Sequence, residues 1–457
     1  MRLAANLREA VYLSALNGSL SVQRDGEDTK RYHSSFTEEE PFPIPKNWKW
    51  CCLSDVATIA TNLVDPKDYS DYIQIAPDYI EKETGILKPC NTVGENKIIS
   101  KNHLFRAGQI IYSKIRPALR KAVIAPFDGL CSADMYPLET VLNTHYLLFF
   151  LLSDFFTKKA IEKSAREKMP KINQKELRKL PIPVPPIEEQ QRIVDRVNDL
   201  MPAINEFEEI ENRLVALKKA FPSNLQEAIL FSAIQGKLTQ QDVSDESVVV
   251  QTKRLSDQRR ACMAVSKKDK LPMSSPRFKI PDGWTWTTLS KLGTLSGGKT
   301  PSMDDASNWS SPDINWFSSK DMKQKYLSES LMKISIKASK ELQLYPSGTI
   351  LLVVRSGILK HTLPLCILTQ EATINQDLKA FTLFDSRMSE YVYWMLKGLQ
   401  PEIIKHYTKH VTTVDSLRLD EFFYQMPVPL PPIEEQQRIV DRINAILPMC
   451  DALAEEI

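Results

Sequence analysis

The longest regular pattern of apolar residues lies near the middle of the chain and has a period of seven. Pro202 should kink this helix without ending it, because the pattern continues in phase on both sides. Pro222 should break it before a second helix, capped by Ser223 and Asn224 and ending near Gly236. The pattern predicts a coiled-coil spacer helix of about 35 residues, ~52 Å long. Its seam positions are Ile193, Val197, Leu200, Ile204, Phe207, Leu214 and Phe221.

Two blocks of sequence occur twice, which identifies the chain as a tandem duplication. Residues 181–202 and 427–448 are identical at 16 of 22 positions, and residues 5–23 and 223–241 at nine of 19. One copy of the second block stands at the N-terminus instead of following residue 448, so the repeat is circular. We therefore expect a ring-like, pseudo-twofold molecule that is opened inside one of two helical regions, with its termini close together.

The repeats divide the chain into six segments. Mixed patterns predict two globular α/β domains, at 41–180 and 277–426, that are separated by long antiparallel coiled-coil helices in an α+β fold. The remaining segments are an N-terminal helix with a linker at 1–40, a central helical region at 181–240, a linker at 241–276 and a C-terminal helix at 427–457. The stretches 24–40 and 241–276 are rich in charge, Ser and Gln, which predicts solvated linkers.

Composition and cysteine usage exclude several classes of protein. Lys and Arg number 59 against 57 Asp and Glu, so the net charge of +2 provides no general attraction for nucleic acid. The chain has no apolar run long enough to span a membrane, and its first residues lack the pattern of a signal peptide. Seven scattered cysteines without a C-x-x-C pair predict a reduced cytoplasmic protein without structural zinc.

One motif matches the phosphate-binding loop G-x-x-x-x-G-K-[ST], from Gly293 to Thr300. That loop functions only where a helix begins at the lysine and directs its N–H groups at the phosphates. Pro301 and the polar residues after it predict a loop instead, so we interpret the match as chance, although Lys299 could still touch a phosphate. Asp313, Asp321 and Lys323 resemble a nuclease set only loosely. The sequence predicts no catalytic residue and no metal site.

Basic and polar side chains concentrate where predicted strands end. Arginine can bind guanine and Asn or Gln can bind adenine in the major groove, while lysines contact phosphates. A solvated face for 154–180, which has nine Lys and Arg against four acids, and core packing for Trp316 are the alternatives. The predicted DNA-binding residues are Tyr112, Ser113, Lys114, Arg116, Arg120, Lys121, Lys168 and Lys171 in the first domain, and Lys299, Thr300, Trp316, Ser318, Lys320, Arg355, Lys360, Asn375 and Gln376 in the second.

The chain resembles the DNA specificity subunit of type I restriction–modification enzymes. The resemblance rests on PIPVPPIEEQQRIVDR and its copy, on NLREAVYLSALNGSL and its copy, and on YSKIRPALRK, SGGKTPS, INWFSSKD, VVRSG and ATINQD. It covers nearly the whole chain, and the proline-rich block that enters a helix is its most specific part.

The resemblance implies two target-recognition domains that each read half of a bipartite site in double-stranded DNA, with helices as a ruler between them. It implies a chain without catalysis or cofactor of its own. The partners would be two modification subunits, which methylate adenine with S-adenosylmethionine, and a restriction subunit that uses ATP and Mg²⁺. A coiled-coil scaffold with two protein-binding domains, or a self-sufficient nuclease, are the alternatives that the residues leave open.

Overall fold

The computed structural model describes residues 3–164, 170–264, 266–310, 313–410 and 414–456, and Lys168 is therefore outside the described part. The chain divides into two compact units, residues 1–215 and 216–457. Each unit contains mixed helix and sheet, as the sequence predicts, and each has its own hydrophobic core.

Unit 1 contains two four-stranded sheets and a two-stranded ribbon. Their strand orders are β2-β9-β6-β7, β3-β5-β8-β4 and β1-β10. The elements are α1 (Leu3–Leu16), β1 (Lys49–Cys52), α2 (Leu53–Val56), β2 (Ala57–Ile59), β3 (Leu63–Val64), β4 (Ile73–Ile75), β5 (Asn102–Phe105), β6 (Ile110–Ser113), β7 (Ala122–Ile124), β8 (Gly129–Cys131), β9 (Met135–Thr140), α3 (Thr144–Leu152), α4 (Asp154–Glu162), α5 (Gln174–Arg178), β10 (Pro181–Val184) and the first part of α6 (Ile187–Ile234).

Unit 2 has a five-stranded sheet, a three-stranded sheet and two two-stranded ribbons. The larger sheets have the orders β12-β19-β16-β17-β14 and β15-β13-β18, and the two-stranded ribbons are β11-β22 and β20-β21. Besides the end of α6, the elements are α7 (Val248–Cys262), β11 (Thr285–Thr287), α8 (Leu289–Leu292), β12 (Gly293–Gly297), β13 (Ile314–Phe317), β14 (Tyr326–Leu327), β15 (Met332–Ile334), α9 (Ile336–Ser339), β16 (Ile350–Val353), β17 (Leu365–Leu368), β18 (Thr373–Ile374), β19 (Leu378–Leu383), α10 (Ser389–Gly398), α11 (Gln400–Tyr407), β20 (Thr408–Lys409), β21 (Ser416–Leu417), β22 (Val428–Leu430) and α12 (Ile433–Glu456).

The duplicated proline-rich block forms the same ribbon in both units. Trp50 lies opposite Pro183 in β1–β10, and Trp286 lies opposite Pro429 in β11–β22. Proline lacks the N–H of a ladder hydrogen bond, so it suits a two-stranded ribbon better than the middle of a wide sheet. The buried Tyr146 hydroxyl donates to the Pro183 carbonyl at 2.7 Å, which fastens helix α3 to this ribbon.

A buried carboxylate at the start of α6 joins three segments of unit 1. Glu189 is fully buried, and its oxygens accept hydrogen bonds from the Trp48 indole at 2.9 Å and the Ser21 hydroxyl at 2.7 Å. The side-chain amide of Gln23 donates to the same carboxylate at 3.0 Å. Helix α6, ribbon β1–β10 and the segment after α1 are therefore held by one acceptor with several donors.

Unit 2 repeats this arrangement residue for residue. Glu435 is also fully buried, and it accepts hydrogen bonds from the Trp284 indole at 2.8 Å, the Thr239 hydroxyl at 2.9 Å and the Gln241 amide at 2.6 Å. A buried carboxylate is costly unless its lone pairs are satisfied, and here neutral donors satisfy them. This requirement accounts for the recurrence of both the tryptophan and the glutamate in the two repeats.

Helix α6 is longer than the sequence predicts, which corrects the predicted break at Pro222. It runs through both Pro202 and Pro222 to Ile234, 48 residues or about 72 Å. An interior proline costs roughly 3 kcal/mol. Packing after Pro222 offsets that cost, because the buried Leu230 packs in the core of unit 2 and Gln226 donates to Asp451 of α12 at 2.7 Å.

The predicted seam is buried in its first half only. Ile193, Val197 and Ile204 are buried and Leu200 is half-buried, whereas Phe207, Leu214 and Phe221 are 37%, 51% and 49% exposed. The partner in unit 1 is α1, whose Arg8 donates to Glu208 at 2.6 Å and whose Leu3 amide donates to Glu211 at 2.9 Å.

Parts of the segments predicted as solvated linkers pack against their units, although most residues of 24–40 are exposed. In residues 24–40, Tyr32 is 4% exposed and Glu27 forms a bidentate ion pair with Arg192. In residues 241–276, α7 buries Leu255, and Asp245 forms the equivalent bidentate pair with Arg438. Two acids of these segments, Glu27 and Asp245, are thus paired with arginines near the starts of α6 and α12.

Two smaller expectations concern membranes and cysteines. In the described ranges, no helix is both long and apolar enough to cross a membrane. The apolar run at residues 146–152 lies in the core, since every residue of it is buried within α3. All seven cysteines are unpaired thiols, including the adjacent Cys51 and Cys52.

We predict that Glu189→Gln lowers the free energy of unfolding by about 2 kcal/mol, because the new amide would direct an N–H at donors that require an acceptor. Urea unfolding followed by tryptophan fluorescence measures this change. The matched control is Glu188→Gln, which alters an exposed carboxylate one residue earlier and should cost less than about 1 kcal/mol. Equal effects of the two variants would contradict the role assigned to Glu189.

Candidate nucleic-acid interface

Strand β6 ends beside the segment that precedes α5, and this junction presents the exposed Arg116. The Arg116 amide donates to the Pro170 carbonyl at 2.8 Å, and the Ile172 amide donates to the Lys114 carbonyl at 3.0 Å. Arg116 has a left-handed backbone with φ of 48°. Its N–H is used by the neighbouring segment while its guanidinium faces solvent. The predicted cation is thus accessible to a phosphate or a base.

Lys114 and Lys171 share this junction with Asp134. The Lys171 ammonium lies 3.0 Å from the Asp134 carboxylate, and both side chains remain more than two-fifths exposed. Lys114 donates to the Ala133 carbonyl and lies over the Tyr136 ring, 4.7 Å from its centroid. Burial and the nearby Lys171 charge lower the pKa of Lys114. The structure therefore brings three of the predicted cations together.

Tyr112 and Ser113 are in the core, which corrects their prediction as DNA-binding residues. They are 1% and 3% exposed, because β6 is an interior strand paired with β9 and β7. The Tyr112 ring packs edge-on against Phe156, and burial raises the pKa of its phenol. Ser113 donates its hydroxyl to the Ile115 carbonyl at 3.2 Å.

Arg120 and Lys121 are engaged within unit 1 and so differ from Arg116. Arg120 donates to Glu9 of α1 at 2.7 Å and to Asp154 of α4 at 2.8 Å. Lys121 donates to the Pro77 carbonyl, and burial lowers the pKa of its ammonium. Both residues support the packing of the unit, and the structure does not place them at an open surface.

In unit 2, the structure brings the residues around Lys299 next to those around Gln376. The Lys299 amide donates to the Ile374 carbonyl at 3.1 Å, and the exposed Thr300 hydroxyl donates to the exposed Gln376. This close approach requires a glycine at position 298, where a Cβ would lie 2.0 Å from the Ile374 carbonyl oxygen. Lys299, Thr300 and Gln376 thus form one polar surface.

Trp316 and Asn375 support this surface from below. Trp316 is 7% exposed, donates its indole N–H to the Lys299 carbonyl at 3.1 Å and packs edge-on against Trp309. Asn375 is also 7% exposed, and its amide donates to Asp377 at 3.1 Å. The prediction that these two residues contact bases is therefore corrected: both are buried, and they pack beneath Lys299 and Gln376.

Ser318 and Lys320 lie in the turn after β13. Ser318 accepts a hydrogen bond from the Lys320 amide and donates its hydroxyl to Asp321 at 2.8 Å, which caps a short 3₁₀ turn. Asp321 also accepts from the Leu331 amide at 2.7 Å, so its carboxylate is a capping group rather than part of a nuclease set. Lys320 remains exposed.

Arg355 is exposed at the end of β16, and Lys360 is exposed at the end of the following 3₁₀ turn. The Leu417 amide donates to the Val354 carbonyl at 2.9 Å, and the Ser356 amide donates to the Asp415 carbonyl at 3.0 Å. Arg355 therefore lies in a junction with the same backbone hydrogen bonds as that of Arg116, at the position that matches Ile115. The motif at Gly293 lacks the local structure of a phosphate loop, since residues 293–297 form β12 and no helix begins at Lys299.

These hydrogen bonds define the same strand-end corner in both units. The Ser132 amide donates to the Ile75 carbonyl at 3.0 Å, and the Asn375 amide donates to the Phe317 carbonyl at 2.9 Å. Together with the backbone hydrogen bonds that follow β6 and β16, these two bonds match each segment of one unit with a segment of the other. We call these segments the strand-end corner: residues 114–116, 132–134 and 170–172 in unit 1, and residues 354–356, 375–377 and 415–417 in unit 2.

Two corner residues, Asp134 and Asp377, are not among the predicted DNA-binding residues, because the side chains expected to contact DNA are cations and amides. Each acid directly precedes the β9 or β19 residue that pairs with the last residue of β6 or β16. The signal available in the sequence was an acid just before an apolar strand in both domains. Metal binding has no support in the ranges described, where no group of three or more His, Cys, Asp or Glu side chains could hold an ion.

Comparison with known proteins gives a consistent result. The family model described as "Type I restriction modification DNA specificity domain" matches residues 45–216 and 281–457. The type I restriction enzyme EcoDI specificity subunit from Escherichia coli is 40% identical over 242 residues, which are 51% of this chain and 54% of that protein. The EcoR124I/EcoR124II specificity subunit from Escherichia coli is 33% identical over 175 residues, 37% of this chain and 42% of that protein.

The matches to these two curated relatives thus span about half of their length. A solved chain from work on complex assembly and conformational transition of the type I R-M system is 20% identical, with a TM-score of 0.50, covering 91% of this chain and 94% of that chain. That likeness concerns the fold. Because the family model matches both repeats and most of the sequence, the chain belongs to the family of type I restriction modification DNA specificity domains.

Proposed function

We propose that this chain is a sequence-specific DNA-binding subunit that recognises a bipartite site, one half-site per unit, for a type I restriction–modification complex. The observation that carries the proposal is the strand-end corner, which each unit builds from the same backbone hydrogen bonds and furnishes with an exposed arginine. Arginine suits both phosphate contacts and bidentate recognition of guanine.

The charge distribution supports DNA as the ligand despite the small net charge. Many acids of unit 1 are neutralised internally, for example Glu208 by Arg8 and Glu27 by Arg192. Arg116 and Arg355 remain accessible at the corners. Local rather than global positive charge favours contact at a defined surface, and the side chains around it can read base edges.

The partners and cofactors follow from family membership and belong to the proposal. The EcoDI and EcoR124I/EcoR124II relatives are named as specificity subunits of restriction enzymes. We propose that this chain docks two modification subunits, which use S-adenosylmethionine, and a restriction subunit that uses ATP and Mg²⁺. In this division of labour the chain supplies recognition and no chemistry, and it acts in the cytoplasm beside the host DNA.

The domain boundaries are proposed as the sequence suggests, with recognition domains at 41–180 and 277–426 and helical regions at 1–40, 181–240 and 427–457. The segment 241–276 then belongs with the second domain rather than to a free linker, because α7 packs in the core of unit 2. The competing proposal is a scaffold with two protein-binding domains, which would not require exposed arginines at equivalent corners.

We predict that Arg116→Asn and Arg355→Gln each weaken duplex binding by the full-length chain about tenfold. Each should also reduce the slope of log affinity against log salt concentration by the amount expected for about one phosphate contact. Asn is chosen at position 116 because it tolerates a left-handed backbone. Fluorescence anisotropy with duplex DNA at several salt concentrations measures both effects. Arg213→Gln, an exposed cation on α6, is the control and should bind normally. Absence of salt-dependent duplex binding by the parent chain would favour the scaffold.

We further predict that exchanging residues 41–180 for the corresponding domain of a relative changes one half-site and leaves the other intact. The reason is that each unit has its own core and its own corner. Mapping methylated adenines in a host that carries the exchanged gene identifies both half-sites at once. Simultaneous change of both half-sites would refute the assignment of one half-site to each unit.

Inserting one heptad into residues 212–220 should lengthen the gap between half-sites by about three base pairs, since seven helical residues add about 10 Å. This stretch is chosen because Leu214, Val215 and Leu217 are all more than half exposed, so the insertion disrupts little packing. The same methylation map reads the gap length. An unchanged gap with unchanged half-sites would show that α6 does not set the spacing.

A further inference from the structure

The two strand-end corners carry different cations but the same acid. Matching the corners by their backbone hydrogen bonds pairs Lys114 with Val354, and Lys171 with Ser416. No described cation of unit 2 thus replaces either lysine at the same position. The position before β9 and β19 is occupied by Asp134 and Asp377.

An accessible acid is unfavourable on a surface that only contacts phosphates, because like charges repel at short range. The Asp134 side chain is 46% exposed, and Asp377 is exposed as well. Each acid lies in the same strand-end corner as an arginine that the proposed function assigns to DNA contact. An acid at this position in both units is therefore poorly explained by phosphate binding.

The local contacts leave one oxygen of each carboxylate available. Asp134 uses Oδ1 to hold Lys171 at 3.0 Å, whereas Asp377 uses Oδ2 to accept from the Asn375 amide at 3.1 Å. Within the described part of the chain, the second oxygen of each acid has no hydrogen bond. The partners differ, a cation in one unit and a neutral amide in the other, so holding a lysine is not the shared role. The shared feature is a fixed, exposed acceptor.

In the major groove, an acceptor discriminates bases by their exocyclic groups. Cytosine N4 and adenine N6 are amino donors, whereas guanine O6 and thymine O4 are acceptors that a carboxylate repels. A carboxylate in the same corner as an arginine is thus suited to select an amino-bearing base while the arginine supplies attraction.

We propose that Asp134 and Asp377 are specificity-determining residues, each accepting a hydrogen bond from the amino group of a cytosine or adenine in its own half-site. This inference rests on the proposed function. It adds that one acid position, shared by the repeats, excludes guanine and thymine from the contacted strand at one position of each half-site.

The experiment selects from a pool of random-sequence duplexes with the full-length chain and compares Asp134→Asn with Asp377→Asn. Asn has nearly the same shape and can donate as well as accept, so exclusion of guanine and thymine should relax. Each variant should lose about tenfold preference at one position of one half-site, at equal or higher affinity for non-specific duplex. Glu371→Gln is the matched control, because Glu371 is an exposed acid that precedes β18, whereas the corner segment follows that strand. It should leave all preferences unchanged.

A further variant separates base reading from positioning. If Asp134 acted only by holding Lys171, Lys171→Met would reproduce the selection profile of Asp134→Asn. We expect Lys171→Met instead to weaken the binding of all duplexes to the same extent. Unchanged preferences in both Asp variants, or uniform weakening by them, would overturn this inference alone. If the parent chain selected no sequence at all, the proposed function itself would fail.

Discussion

The interaction on which each unit depends is a buried carboxylate that neutral donors satisfy. Glu189 and Glu435 are fully buried, and each accepts from a tryptophan indole and from polar side chains of another segment. Such a group cannot move to a different environment without leaving a charge or several donors unsatisfied. It therefore fixes the start of α6 or α12 against the tryptophan that precedes the two-stranded ribbon of the same unit.

Around this fixed point, the charged residues separate into two groups with different roles. Arg8, Arg120 and Arg192 are paired with acids of other segments and serve the packing of unit 1. Arg116, only four residues before Arg120, is exposed. Exposure matters for recognition because a cation that is already paired and partly desolvated has less to gain from a phosphate than a free one does. In the proposed function, the accessible corner, rather than the total charge, is the feature that contacts DNA.

The duplication gives the protein two copies of one backbone arrangement with separate side-chain sets. The corners share their hydrogen bonds and their acid, while Ile115 and Arg355, or Ala133 and Gln376, stand at matching positions. Such changes fall at exposed corner positions such as Ala133, Arg355 and Gln376, whereas Ile172, Val354 and Leu417 of the same segments are buried in the cores.

The sequence by itself determined the repeat, the mixed α/β character of both units and the helical nature of residues after Pro186, because each follows from identity or periodicity along the chain. It also located Arg116 and Arg355 at strand ends. Only the tertiary structure decided that α6 continues past Pro222, that Tyr112 and Trp316 are buried, and that Arg120 is paired. The physical reason is that the cost of a proline, the exposure of a ring and the pairing of a charge all depend on residues distant in sequence. The equivalence of Asp134 and Asp377 also depends on the tertiary structure. Backbone hydrogen bonds between separate segments align the two corners, and sequence identity does not.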